Sequence, residues 1–78
     1  MEKFMVSLNS IDKVRDFVNI IAKFDCDFDL ISGRYVIDAK SIMGIFSLDL
    51  NKPVELTVHA TGEKLEAIQN EIRPFIVG

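Results

Sequence analysis

The stretch VELTVHA, residues 54–60, alternates apolar and polar side chains without a break. One face of this stretch holds Val54, Leu56, Val58 and Ala60, and the other holds Glu55, Thr57 and His59. A period of two predicts a strand that buries one face and turns the other toward solvent. Such strands form antiparallel sheets that helices cover on one side only, so the stretch favours an α+β fold.

Two amphipathic segments predict the helices that cover this sheet. Residues 9–24 repeat apolar side chains at spacings of three and four, namely Ile11, Val14, Phe17, Val18, Ile21 and Phe24. Residues 61–76 do the same with Leu65, Ile68, Ile72 and Phe75, and Pro74 fits a helix that is ending. Ser10 is expected to cap the first helix, and Asp12 suits the positive end of its dipole.

Three further segments read as strands. Residues 3–8 alternate in the manner of a half-buried strand, and residues 26–31 and 34–39 are rich in aromatic and branched side chains. The pair Ser32-Gly33 separates the last two, and we expect a hairpin turn there because glycine accepts a positive φ. With a short helix after Ser41, the predicted order is β-α-β-β-α-β-α, an open-faced two-layer sandwich with a four-stranded antiparallel sheet.

Composition sets limits on the function. Seventy-eight residues with 49% apolar content predict a single domain, residues 1–78. The net charge of −3 and the nine scattered basic residues disfavour nucleic-acid binding, which needs a clustered basic surface. No apolar run approaches the roughly 18–20 residues of a membrane-spanning helix, so we expect no membrane insertion. A lone Cys26 and no secretion signal indicate the cytoplasm.

The stretch VIDAKSIMGIFSLDL, residues 36–50, sets Ser41 directly before an apolar run. From its type and position Ser41 is an N-cap, and a phosphoryl group at this position would face free backbone N–H groups. The run holds five large apolar side chains, Ile42, Met43, Ile45, Phe46 and Leu48. They either all belong to the core or leave some members, Met43 and Phe46 above all, as an adaptable surface patch.

DAKSIMGIFSLDL resembles the regulatory-serine signature of the HPr family, the histidine-containing phosphocarriers of the bacterial sugar phosphotransferase system. The predicted element order and the VELTVHA strand are similar to that family too. The resemblance implies that Ser41 is phosphorylated by an ATP-dependent serine kinase. It also implies that Lys40, Ile42, Met43 and Phe46 form a docking surface for phosphotransferase-system enzymes or a transcriptional regulator, in the setting of carbon catabolite regulation and sugar transport.

The start of the first helix departs from the family pattern. Family members carry a Gly-x-His-x-Arg-Pro-type motif there, whose histidine carries the phosphoryl group. An ungapped alignment puts Ser10 at the histidine position, Asp12 at that of the arginine and Lys13 at that of the proline. A serine ester is far less labile than a phosphoramidate, and Asp12 repels a phosphoryl group. We therefore expect no phosphoryl carriage, no catalytic residue and no enzymatic activity.

The remaining chemistry-bearing residues give weak signals. His59 falls on the outward face of its strand, as an ordinary exposed residue. Cys26 begins a strand among acidic residues, which discourages thiolate formation, and we interpret it as structural. One histidine and one cysteine on separate strands lack the spacing of metal ligands. We expect neither a metal nor a cofactor.

Three hypotheses stay open at this point. The favoured one is a non-catalytic regulatory or adaptor protein with a switch at Ser41. The second is a phosphocarrier that uses an unconventional acceptor such as Ser10 or His59. The third is a plain interaction module in which Ser41 is only a cap. The sequence leaves the partner and the oligomeric state open.

Overall fold

The computed structural model describes residues 2–77 and has the predicted order of elements. Its elements are β1 (Glu2–Val6), α1 (Ile11–Ile21), β2 (Phe28–Ser32), β3 (Tyr35–Asp38), α2 (Ile42–Phe46), β4 (Val54–Val58), α3 (Gly62–Ile72) and a 3-10 turn (Arg73–Phe75). The four strands form one antiparallel sheet in the order β1-β4-β2-β3. The α+β open-faced sandwich is confirmed.

The clean alternation of the VELTVHA stretch follows from its central place in the sheet. Leu56 lies between Phe4 of β1 and Leu30 of β2, on the face that the helices cover. Thr57 faces the other way, as expected, but it is only 4% exposed because strands flank it on both sides. Its Oγ1 has no hydrogen-bond partner among the described residues.

The core lies between the inner face of the sheet and the helices. Its buried apolar residues are Val6, Leu8, Val14, Phe17, Ile21, Phe28, Leu30, Ala39, Ile45, Val54, Leu56, Val58, Ile68, Ile72 and Phe75. Phe17 of α1 meets Phe75 edge to face, with the ring centroids 5.6 Å apart. The end of the chain is thereby packed against the first helix.

The two edge strands of the sheet, β1 and β3, differ in whether another segment covers them. The segment after α3 covers β1, because Ser7 N donates to Phe75 O at 2.8 Å and Val77 N donates to Met5 O at 2.8 Å. No described residue pairs with the outer edge of β3, the last strand in the sheet order. Tyr35 and Val36 of this strand are 69% and 63% exposed.

Two sequence predictions need correction. Ile11 was placed on the apolar stripe of the first helix, but it is 64% exposed because it is the first helical residue and lies beyond the sheet-facing turns. The hairpin turn consists of Gly33 and Arg34 rather than Ser32 and Gly33. Ser32 pairs with Tyr35, and Gly33 takes the positive φ of +59° at the first turn position.

Candidate functional site

A tight turn after β3 places Ser41 at the surface. Asp38 O accepts a hydrogen bond from Ser41 N at 2.9 Å, and Asp38 Oδ1 accepts one from Lys40 N at 2.9 Å. Ala39 is buried, and its N–H donates to Phe28 O at 2.9 Å. These contacts fix the backbone that leads into the serine, so its position is set by the sheet.

Ser41 is the predicted N-cap of α2. Its Oγ accepts from Gly44 N at 3.3 Å, and its carbonyl accepts from Ile45 N at 3.0 Å. A Cβ built on Gly44 would come within 3.2 Å of that Oγ, so the glycine makes room for the hydroxyl. The Ser41 residue is exposed, and no acidic residue lies in the first turn of α2.

Three exposed apolar side chains follow this cap. Ile42 is 37% exposed, Met43 is 77% exposed and Phe46 is 42% exposed, whereas Ile45 is buried. The alternative in which the whole apolar run belongs to the core is therefore wrong. We call the surface formed by Ile42, Met43 and Phe46 the docking patch.

Lys40 precedes Ser41 in the sequence, but its side chain contacts residues of other elements. Its Nζ donates to Phe24 O at 2.8 Å and lies 5.6 Å from the centroid of the Phe28 ring. The ammonium thus links the loop after α1 to the start of β2, and the side chain is half-buried. Its role in docking stays a prediction, and the structure gives it a second, internal role.

Ser10 occupies the equivalent position at α1. Its Oγ accepts from Lys13 N at 3.1 Å, as predicted for an N-cap, and the residue is exposed. Asp12 lies in the first turn and gives this helix end a negative side chain. In the first turn of α1 the exposed large apolar side chain is Ile11 alone, so the described residues form no patch there comparable to that of α2.

The other candidate residues, His59 and Cys26, make their contacts away from Ser10 and Ser41. His59 lies just beyond the end of β4, where its Nε2 is 2.7 Å from Asp29 Oδ2 on the helix-free face. Cys26 precedes β2 instead of beginning a strand, is partly buried and packs against the core. Within residues 2–77 no three His, Cys, Asp or Glu side chains gather in a way that would hold a metal ion.

Comparison with known proteins identifies the family. The family model described as "PTS HPr component phosphorylation site" matches residues 13–77. The chain belongs to the HPr family. HPr-C-His from Thermoanaerobacter tengcongensis superposes with a TM-score of 0.72 at 23% identity, over 94% of this chain and 92% of that one. The phosphocarrier protein HPr from Bacillus anthracis str. Ames superposes with a TM-score of 0.68 at 27% identity, over 91% and 93%.

The HPr match covers one serine and leaves out the other. It includes Ser41 and the docking patch, and it begins at Lys13, after Ser10 and Asp12. The chain is thus an HPr-like protein of the phosphotransferase system, a family whose members interact with other proteins of that system. In the described part of the chain, no helix has the length and apolar content to cross a bilayer.

Two features of this HPr-family chain could not be predicted from its sequence. The hydrogen bond from Lys40 Nζ to Phe24 O joins residues 16 apart in the chain, and nothing in the local pattern predicts it. The open edge of β3 follows from the strand order, which separates β3 from the other edge by two strands. The branched and aromatic content of residues 34–39 predicts a strand, but it does not tell an edge strand from a central one.

Proposed function

We propose that this HPr-family chain is a cytoplasmic, non-catalytic regulatory or adaptor protein of the phosphotransferase system. Phosphorylation of Ser41 is its switch, and the docking patch is its partner-binding surface. One observation carries the proposal: an exposed serine hydroxyl stands directly beside three exposed apolar side chains. A covalent change at Ser41 therefore alters the surface that a partner protein would contact.

The docking patch supports a role in protein recognition. Met43 is the most exposed large apolar side chain among the described residues, at 77%. A flexible thioether adapts its shape to different partners, and an aromatic ring such as Phe46 adds contact area. Ile45 anchors the helix from below, so the exposed side chains are held on a fixed surface.

Phosphorylation would transfer the γ-phosphoryl group of ATP to Ser41 Oγ. The hydroxyl loses its proton, and ADP leaves. The serine gains roughly −1.5 to −2 charges beside backbone N–H groups of α2 and next to the docking patch. A partner with arginines around an apolar pocket would bind the phosphorylated form more tightly, and a partner with an acidic rim would be repelled.

The start of α1 supports the absence of phosphoryl carriage. The position that matches the family histidine holds Ser10, whose ester would not pass a phosphoryl group onward readily. Asp12 in the first turn opposes a second negative charge at the same helix end. A carrier needs a labile linkage, and Ser10 does not offer one; the position that matches the family arginine also holds the acidic Asp12.

The direct test is phosphorylation by the serine kinase of the source organism with ATP, followed by peptide mass spectrometry. We expect one phosphate on the peptide that contains Ser41. Ser41→Ala should lose it completely, and the matched cap variant Ser10→Ala should keep it. An unmodified Ser41, under conditions that modify an ordinary carrier protein of the same organism, would contradict the switch.

A second arm tests the carrier function. Enzyme I and phosphoenolpyruvate should leave the chain unlabelled, while they label a histidine-bearing HPr in the same tube. Acid-labile phosphate on His59, or phosphate on Ser10, would show that the chain still carries phosphoryl groups and would overturn its assignment as a regulator only.

A further inference from the structure

We infer that the outer edge of β3 is an interaction surface for a second copy of this chain, joined by antiparallel pairing of the two β3 strands. The inference goes beyond the proposed function and does not depend on Ser41. Pairing of this kind would turn two four-stranded sheets into one sheet of eight strands, with Val36 opposite Val36 of the second copy.

The backbone of β3 presents unpaired groups in the right places. Ala39 N donates to Phe28 O, which makes residues 28 and 39 a hydrogen-bonded pair. Such pairs alternate along an antiparallel ladder, so Ile37 and Tyr35 point their backbone groups toward β2. The N–H and C=O of Val36 therefore point toward the open edge, as does the N–H of Asp38.

The edge carries few of the features that normally prevent strand pairing. Proteins protect edges with proline, lysine, bulges or a covering segment, and β1 is covered by residues 75–77. The residues of β3, Tyr35–Asp38, include neither proline nor lysine, and its register with β2 is regular. Tyr35 and Val36 are both well exposed and are residue types that favour strands.

Charge complementarity selects a second copy as the occupant. Val36 and Asp38 lie on the same face of the strand, opposite Ile31 and Asp29 of β2, and Arg34 lies in the hairpin turn directly before the strand. Centring the antiparallel pair on Val36 places the hairpin turn of each copy, which contains Arg34, beside Asp38 of the other. An arginine of one copy and an aspartate of the other thus lie close together on each side of the Val36–Val36 contact, and the attraction between these opposite charges favours pairing with a second copy.

The geometry of the pair has one consequence for the rest of the molecule. The two-fold axis of such an antiparallel pair is perpendicular to the sheet, so the helices of both copies lie on the same face. α2 lies against β3, since a Cβ on Gly44 would come within 3.4 Å of Ile37 Cδ1. Both docking patches are therefore presented on one side of the dimer.

Sedimentation equilibrium of the intact chain from about 10 μM to 1 mM tests the inference. Because the paired strands are short, we expect a dissociation constant on the order of 100 μM. Val36→Lys should keep the chain monomeric over this range. Met5→Lys, a substitution of another exposed apolar residue, on the covered edge strand β1, should associate like the unmodified chain. A wild-type chain that stays monomeric at 1 mM would overturn the inference, as would equal effects of both variants.

Charge exchange gives a second measurement that does not depend on Val36. Arg34→Glu and Asp38→Arg should each weaken association at least 10-fold, and an equimolar mixture should restore it as a heterodimer. Asp38→Arg also removes the bond from Lys40 N, so circular dichroism must show a native fold. If that variant is unfolded, Arg34→Glu alone must still weaken association. Failure of both Val36→Lys and Arg34→Glu to weaken it would place self-association elsewhere.

Discussion

Two helices of this chain begin alike and are surrounded differently. α1 and α2 each start with an exposed serine cap, Ser10 and Ser41, followed by an exposed isoleucine. Asp12 comes next in α1, and Met43 comes next in α2. The capping hydrogen bond is therefore common to both helices. The neighbouring side chains decide whether a helix end can accept a new negative charge and bind a partner protein.

The two helices are also anchored unequally. α1 buries Val14, Phe17 and Ile21, whereas α2 buries Ile45 alone. A helix of five residues has little stability of its own, so α2 depends on this side chain and on the turn before Ser41. The surface that we propose as a regulatory element is thus the less firmly held of the two.

The largest effect should come from removing that anchor. Ile45→Ala is expected to lower the free energy of unfolding by about 2–5 kcal/mol, because it leaves a cavity under α2. Ile42→Ala, in the same helix but partly exposed, should cost less than about 1 kcal/mol. Urea unfolding followed by circular dichroism measures both. Equal losses would contradict the assignment of Ile45 as the anchor.

The next effect concerns the caps themselves. Ser10→Ala should cost about 1 kcal/mol of unfolding free energy, the usual cost of losing an N-cap. Ser41→Ala should cost less, about 0.5 kcal/mol, because its bond to Gly44 N is longer, 3.3 Å against 3.1 Å, and its helix is shorter. The same urea titration ranks the two, and a larger loss for Ser41→Ala would reverse the comparison.

A smaller effect separates the two helix ends by charge. Aspartate is as good an N-cap as serine, so Ser10→Asp and Ser41→Asp should each change stability by less than about 0.5 kcal/mol. At low salt Ser10→Asp should be the less stable, because Asp12 already lies at that end. The difference should shrink as salt rises from about 0.01 M to 1 M. A difference that salt does not change would point to a cause other than charge.

The smallest net effect is expected at Gly44. Gly44→Ala should gain about 0.5–1 kcal/mol of helix preference. The added Cβ would lie 3.2 Å from Ser41 Oγ and push this hydroxyl away, so the gain in helix preference and the loss at the cap nearly cancel. In a Ser41→Ala background the same change should stabilise, because no hydroxyl opposes it. A double-mutant cycle in urea measures this coupling, and purely additive free energies would exclude the close contact.

Local patterns predicted much of this comparison. Periodicity located α1, and the apolar run after a capping serine indicated α2. The residue types of Ser10 and Ser41 identified the caps, because an N-cap bond joins residues three apart. The surplus of apolar residues after Ser41 predicted an exposed patch, and Met43 and Phe46 form part of it. The family resemblance, based mainly on residues 36–60 and on the order of elements, was confirmed by the match to residues 13–77.

Predictions failed where distant parts of the chain decide the outcome. Lys40 bonds to Phe24 O because the end of α1 returns beside β2, and no local spacing encodes that contact. Thr57 looked exposed by alternation, yet neighbouring strands bury it. Ile11 fitted the apolar stripe by period, but the stripe extends past the area that the sheet covers.

The covering of β1 by residues 75–77 has a consequence for biosynthesis. β1 is synthesised about 50 residues before its sheet partner β4 and about 70 residues before the covering segment, delays of roughly 3–10 s and 4–14 s at about 5–20 residues per second. During those seconds the nascent strand has neither neighbour. The native sheet therefore forms only after β4 has been synthesised, and a chaperone that shields residues 2–6 would act in this interval.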